Sequence, residues 1–420
     1  MKEYSFTVEQ SSLFGHVQLS GAKNSALRLQ AASLLTSEKV TLTNFPSNLL
    51  DVQVQNGMLE YLGKQVEVAE KKIVITQEGS ISTELLWEER SIRNTLLILG
   101  TLLARFGKGK VPLPGGCKLG ERKYDIHVMI FEAMGARVWE EENYLCAESK
   151  GRLKGAELVL PLRSTGATEN AILCGSLAQG ITRVWNPHIR PEILDLINML
   201  NKMGARIRVF GQEHIEIRGV EGLHGVEHRV IPDNMEALTW MIASVITNGD
   251  IEINNFPFEH LEVPLIHLRE SGAKFYKSEN DIIVRGGKCY PIDISTGPYP
   301  GINSDMQPLF AIYGACARGE SKIIDLRFPG RYGYADEIKK MGVQARVDKD
   351  FLIINGGNST QGTEVNALDL RAGMALMLLG LVSHGETTIN NAWQIERGYE
   401  DIITKVRSLG GKLSKTLVAQ

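Results

Sequence analysis

Residues Leu113 to Asp125 read LPGGCKLGERKYD, which places one thiol, Cys117, behind two glycines and ahead of Lys118, Arg122 and Lys123. Nearby positive charge favours the thiolate, the reactive form of cysteine. A free cysteine is more often a small buried hydrophobe, but Gly115, Gly116, Lys118 and Glu121 make a poor core. The stretch therefore reads as chemistry or as anion binding. Lys23, in GAKN, stands just ahead of a helical pattern, where a lysine and unpaired backbone N–H groups reinforce one another at an anion. Ser164, Thr165 and Gly166, in STGATEN, open another such pattern with hydroxyl and backbone donors. Asp305, in PGINSDMQ, fits a helix N-cap before MQPLFAIYGA, and Asp369, in DLRAG, fits one before its own apolar run.

These residues need elements to position them, and the chain supplies a repeated one. EYLGKQVEV around Gly63, EAMGARVWE around Gly135, NKMGARIRV around Gly204, RESGAKFYK around Gly272, KKMGVQARV around Gly342 and RSLGGKLSK around Gly410 are variants of one phrase. Successive glycines are 72, 69, 68, 70 and 68 residues apart. Each phrase ends a helical pattern at a glycine suited to a left-handed C-cap, then enters an alternating strand and usually a second one, such as KIVIT or DIIVRGG. Ahead of it usually lies a further helix rich in Leu and Ala, as in Ser91 to Phe106, Glu169 to Leu177, Glu236 to Ile246 and Leu370 to Leu381. Self-similarity at a fixed period predicts a repeat-built architecture. Six units in a 420-residue chain suggest three per domain with a ligand cleft between the halves. The crossings are expected near Leu19 to Lys23 and His228 to Pro232, giving one domain over 22–230 that carries the Cys117 loop and another from 1–21 with 231–420.

The totals exclude other classes. A net charge of only -3 leaves no electrostatic footprint for general nucleic-acid binding. The longest apolar run, Ala372 to Val382, is too short to span a bilayer, and MKEYSFTVEQ lacks a signal-peptide core, so a cytoplasmic location is expected. Five cysteines, scattered and without CxxC spacing, argue against disulfides and zinc.

LSGAKNSALRLQAASLL, LLARFGKGKVPLPGGCKLGERKYD, STGATEN, SDMQ, DLRAG and ERGYE occur here in one order. Together they resemble the UDP-N-acetylglucosamine 1-carboxyvinyltransferase (enolpyruvyl transferase) family nearly end to end. The resemblance implies two inside-out α/β domains, each of three βαβαββ-like units (EPT/RTPC-like), with the active site in the interdomain cleft. It implies transfer of the enolpyruvyl group of phosphoenolpyruvate to a sugar hydroxyl, with release of phosphate by addition and elimination. No metal or cofactor is implied. The partners implied are small molecules, phosphoenolpyruvate and a nucleotide sugar or nucleotide, with no nucleic acid or membrane and a monomer expected.

Carried over by position, Lys23, Arg122 and Arg397 match the donor's phosphate side and Arg331 and Arg371 its carboxylate side, where arginine's fork suits a planar carboxylate. Cys117 matches the cysteine credited with proton delivery or product release, and with alkylation by fosfomycin. Asp305 matches the acid that accepts the hydroxyl proton, with Ser304 beside it, and Asp369 orients Arg371 or assists proton transfer. Asn24 matches a sugar contact and Arg93 an arginine near the loop. Arg122, Lys123, Tyr124, Asp125 and Ile126 match the nucleobase edge, and Ser164, Thr165 and Gly166 an acceptor phosphate. Departures from the family pattern cluster on the acceptor side: Arg28, Lys123, Leu162 with Arg163 beside it, Arg190 and Asn234. They leave open a different nucleotide acceptor, such as UMP, for the same chemistry. A regulatory paralogue that binds without turnover is a further alternative. The related shikimate enzyme is disfavoured, since its GNxGTxxR pattern is missing.

Overall fold

In the computed structural model, which describes residues 4–114 and 124–417, the six phrase glycines all lie at positive φ, between 87° and 103°. They close the helices Leu50–Tyr61, Asp125–Ala133, Pro191–Lys202, Glu262–Glu270, Tyr334–Lys340 and Ile402–Ser408. A side chain would be strained there, whereas glycine lets the next N–H turn back onto the helix, as from Lys64 to Leu59 O (3.0 Å) or Ala205 to Leu200 O (2.9 Å). Five of the six then enter an antiparallel hairpin, for example Gln65–Ala69 with Lys72–Thr76 and Arg206–Phe210 with His214–Arg218. The last, Lys412–Leu417, pairs instead with the N-terminal strand Tyr4–Glu9, Leu417 opposite Tyr4. The hairpins belong to separate small sheets, in most of which a parallel strand joins outside the central one, as Val226–Arg229 does beside Val40–Thr43.

The strands bury alternate residues, Ile73 and Ile75 in Lys72–Thr76 for instance. The Leu- and Ala-rich helices Lys23–Ala32, Thr95–Phe106, Thr165–Leu177, Asn234–Ile246, Gln307–Cys316 and Leu370–Gly380 are buried nearly all round. A helix apolar on every side belongs in the interior, so sheets form the outer layer and helices the core. Two compact units result: Gly21–Ile231, and the residues up to Ser20 with those from Pro232 onward. Each has its own hydrophobic core. The fold is α/β with three repeats to a unit. No helix among the described residues is long and apolar enough to cross a membrane.

Helix starts differ from the apolar pattern. The second interior helix begins at Thr95 rather than Ser91, the third at Thr165 and the fourth at Asn234. The polar first turns of the latter two are held by caps: Ser164 Oγ accepts from Ala167 N–H (3.4 Å), and Asp233 Oδ1 from Met235 (2.8 Å) and Glu236 (3.0 Å).

Candidate active site

Interior helices begin where the candidate residues stand. Asp369 Oδ1 accepts the N–H of Arg371 (2.7 Å) and Ala372 (2.9 Å), capping Leu370–Gly380. Its Oδ2 lies 3.5 Å from Arg331 Nη2. Arg331 Nη1 donates to Ser304 O (3.1 Å), Ser304 Oγ (3.0 Å) and Asp305 Oδ1 (2.9 Å). Asp305 Oδ2 in turn stands 3.7 Å from Arg371 Nε. Carboxylates and guanidiniums thus alternate in the order Asp369, Arg331, Asp305, Arg371. The Arg371 side chain is only 3% exposed while that of Asp305 is 37% exposed. Buried Nε and Nη1 of Arg371 make no hydrogen bond to any described residue. Burial opposes the guanidinium charge, but Tyr399, Asp305 and Asp233 hold its pKa above the ordinary range. The Tyr399 ring centroid is 5.5 Å from Arg371 Cζ, and its hydroxyl lies 2.9 Å from Thr239 Oγ1. A buried fork of N–H donors, kept charged by its neighbours and still unbonded, is a seat for an oxyanion.

One expectation is corrected here. Asp305 does not cap Gln307–Cys316, whose N-cap is Met306. Asn303 Oδ1 takes the N–H groups of Asp305 (2.9 Å) and Met306 (3.2 Å), which leaves the Asp305 carboxylate to the arginines. Asp369 does cap its helix, and its side chain pairs with Arg331 while meeting Arg371 through the backbone.

In the unit Gly21–Ile231, Lys23 is the first residue of its helix and its Nζ lies 2.9 Å from Asp51 Oδ2, both side chains being buried. Asn24 follows it, half-buried. Ser164 caps Thr165–Leu177, and Thr165 Oγ1 lies 2.8 Å from His188 Nδ1. Gly166 packs on the His127 ring, and the charge of Arg93, just before Thr95–Phe106, acts on that ring. Tyr124 donates its hydroxyl proton to Glu140, a bond that with partial burial pushes the phenol up to about 12. Asp125 opens the helix Asp125–Ala133, with Ile126 half-buried behind it. Cys117, Arg122 and Lys123 lie outside the described residues.

The EPSP synthase (3-phosphoshikimate 1-carboxyvinyltransferase) family model matches residues 8–406. UDP-N-acetylglucosamine 1-carboxyvinyltransferase 2 of Carboxydothermus hydrogenoformans is 40% identical over 98% of this chain and 99% of its own. The UDP-N-acetylglucosamine 1-carboxyvinyltransferase of a Caulobacter species is 37% identical over 96% of this chain and 95% of its own. The chain belongs to this family of enolpyruvyl transferases. Among solved structures, the enolpyruvyl transferase NikO from Streptomyces tendae superposes with a TM-score of 0.90 over the whole of both chains at 23% identity. An EPSP synthase from Acinetobacter baumannii gives 0.74 over 98% of this chain and all of its own at 19% identity. At those identities the likeness is one of fold.

In this transferase three of the arginines named above, Arg28, Arg163 and Arg190, are engaged internally. Arg28 Nε donates to Glu169 Oε1 (2.6 Å), Arg190 pairs with both oxygens of Glu192 (2.7 and 2.8 Å), and Arg163 Nε donates to Asn186 Oδ1 (3.3 Å). Burial raises the pKa of Glu169, whereas at Glu192 burial, the largest single effect, is outweighed by the charge and hydrogen bond of Arg190 together with a backbone hydrogen bond and the charge of Arg28, which lower it. Leu162 is exposed and Asn234 buried. Arg397, buried, donates from Nη1 to Gln394 Oε1 (3.0 Å). Sequence reasoning missed Asp51, His127, Asp233 and Tyr399. The repeat itself pointed to Asp233, since it caps its helix as Asp369 does. Tyr399 lies within ERGYE and His127 two residues past the cysteine-loop motif, but the motifs do not show what either side chain touches, because each is placed by packing between elements.

Proposed function

We propose that this transferase moves the enolpyruvyl group of phosphoenolpyruvate to the 3′-hydroxyl of the sugar of UDP-N-acetylglucosamine. The observation that carries this is the Arg371 guanidinium, buried and charged, with two nitrogens unbonded beside Asp305 and Arg331. Arg371 and Arg331 hold the donor's carboxylate in this reading, and Lys23, Arg122 and Arg397 its phosphate. Asp305, the more exposed member of the alternating chain, accepts the proton of the attacking hydroxyl. The hydroxyl oxygen bonds to C2 of phosphoenolpyruvate while a proton reaches C3. Loss of a C3 proton and cleavage of the C2–O bond then expel phosphate and restore the alkene. The fixed cations stabilise the charge that gathers in the tetrahedral intermediate. Asp369 holds Arg331, and Cys117 delivers the C3 proton or assists release. Asn24, Arg93, the segment Arg122 to Ile126, Ser164, Thr165, Gly166 and Ser304 bind the acceptor.

A second acceptor, a nucleoside monophosphate such as UMP, is favoured by one observation. Arg163 and Arg190, the cations beside Leu162 and before Pro191, already bond to Asn186 and Glu192. A diphosphate therefore gains less from them than from free cations. Phosphate release from phosphoenolpyruvate, measured with UDP-N-acetylglucosamine and with UMP, decides between the two. Release with the nucleotide sugar is expected, and release with UMP alone overturns the first choice of acceptor. No release with either overturns the enzymatic reading.

A further inference from the structure

Asp325 follows the strand Gly319–Ile324, is only 1% exposed and has no part in the reading above. Its Oδ1 accepts the N–H of Arg327 (3.0 Å) and of Phe328 (2.9 Å), and lies 2.9 Å from Thr296 Oγ1. Thr296 Oγ1 itself accepts the Leu326 N–H (3.0 Å), which leaves the threonine's own proton for Asp325. The other oxygen, Oδ2, bonds to Ser304 Oγ. All of these residues lie in the unit that runs from Pro232 onward.

Ser304 joins this buried carboxylate to the site. A guanidinium only donates, so in the 3.0 Å bond between Arg331 Nη1 and Ser304 Oγ the hydroxyl is the acceptor. The hydroxyl proton is therefore turned to Asp325 Oδ2, and a lone pair is turned to Arg331. The series Asp325, Ser304, Arg331 ends on the guanidinium that also meets Asp305 (2.9 Å) and Asp369 (3.5 Å). Asp325 shapes the backbone of the same segment. With the N–H groups of Arg327 and Phe328 drawn to Oδ1, Phe328 O receives the Arg331 N–H (3.1 Å), and Arg331 O receives Gln307 Nε2 (3.3 Å). The Tyr332 hydroxyl closes the turn by accepting the Asp325 N–H (2.7 Å) and giving its proton to Asp350 O (2.8 Å).

We infer that Asp325 is a positioning residue for the donor's carboxylate: through the Ser304 hydroxyl it fixes where the Arg331 fork points. The inference rests on the proposed reading of Arg331 as part of that seat. A long side chain that is already held loses little further freedom when a ligand arrives, so a fork aimed in advance binds the donor more tightly than one that must be ordered by it.

Asp325→Asn isolates the link. The N–H groups of Arg327 and Phe328 keep the amide oxygen at the Oδ1 place, so the turn is retained, while the amide NH2 faces Ser304 Oγ and offers hydrogens where Asp325 accepts one. In phosphate-release assays with UDP-N-acetylglucosamine as acceptor, the phosphoenolpyruvate KM of this variant is expected to rise about tenfold and the acceptor KM less than about twofold. Ser304→Ala is expected to raise the phosphoenolpyruvate KM by a similar factor, and the double variant to be no worse than Ser304→Ala alone, because both changes cut one link. Single effects that multiply in the double variant overturn the inference, as does an unchanged phosphoenolpyruvate KM in Asp325→Asn. Equal rises in both KM values with a lowered urea midpoint assign Asp325 to the folding of its loop and overturn it too. Guanidinium spectra of the ¹⁵N-arginine-labelled enzyme, with Arg331→Lys to assign the resonance, read the link without turnover. Rotation about the Arg331 Cζ–Nη bonds is expected to be at least about tenfold faster in Asp325→Asn than in the wild type, and equal rates overturn the inference. Arg331 signals that depend on Asp325 in this way but are unmoved by saturating phosphoenolpyruvate would sink the donor reading of Arg331 alone, since the rotation rates need no substrate.

Discussion

Arg371 shows how one side chain is made ready for an anion. Thr239 Oγ1 gives its own proton to Met235 O (2.8 Å), so at 2.9 Å it accepts from the Tyr399 hydroxyl. The lone pairs of Tyr399 are then left for Arg371, whose guanidinium interacts with that hydroxyl and ring. Tyr399→Phe removes the acceptor and leaves the ring. The phosphoenolpyruvate KM of that variant is expected to rise about five- to tenfold with the acceptor KM unchanged, as measured by phosphate release at varied substrate. Arg371→Lys is harsher, because a point charge replaces a two-pronged donor; a fall of about a hundredfold in kcat/KM for phosphoenolpyruvate is expected from the same assay. Sequence reading reached Arg371 through its motif. It did not reach Tyr399, whose part depends on a hydroxyl in a helix more than a hundred residues away.

At the scale of elements, the candidate residues of each unit stand at helix beginnings. In one unit Asp369 and Asp233 are caps and Asp305 stands just ahead of Met306; in the other Ser164 is a cap and Lys23 a first helical residue. The glycine phrase made the helix ends legible, because a left-handed C-cap leaves a residue-type signature; the starts were misjudged by several residues where polar first turns hide behind caps. Ser164→Ala removes one cap and is expected to lower unfolding free energy by about 1 kcal/mol in urea titrations. His127 joins two of these helices as a buried neutral group. Its folded pKa of about 3 lies below its unfolded value of 6.5. The unfolded chain therefore binds the extra proton in between, and His127 costs no stability above about pH 6.5 but about 1.4 kcal/mol per unit as pH falls below it. His127→Gln is expected to flatten that part of the acid dependence, so that its urea midpoint falls less between pH 7 and pH 5 than the wild type's.

The whole molecule is a closed count of six repeats, and its ends explain one irregularity. Five repeats finish in a local hairpin, while the sixth borrows its partner strand from the start of the chain, Tyr4–Glu9 against Lys412–Leu417. The sequence period showed where the sixth phrase lies but not where its second strand comes from, since strand pairing over such a separation leaves no local pattern. Tyr4–Glu9 is also bonded on its other side to Glu386–Asn390, so it is an inner strand of its four-stranded sheet, with Phe6 and Val8 fully buried. Removing residues 1–9 strips two strands of their ladder and opens that core, and loss of a cooperative thermal transition is expected. Joining the ends by a short turn and opening the chain in the exposed turn at Gly211–Gln212 restores an ordinary sixth hairpin at the cost of one broken elsewhere. The two strands opened there stay next to each other through five residue pairs, Arg206–Phe210 against His214–Arg218, and the latter strand is held on its other side by five pairs with Ile181–Trp185. That permuted chain is expected to melt cooperatively within about 5 °C of the parent and to keep its turnover, whereas the truncated chain does neither. Equal behaviour of the two would mean that the N-terminal strand does not complete the sixth repeat.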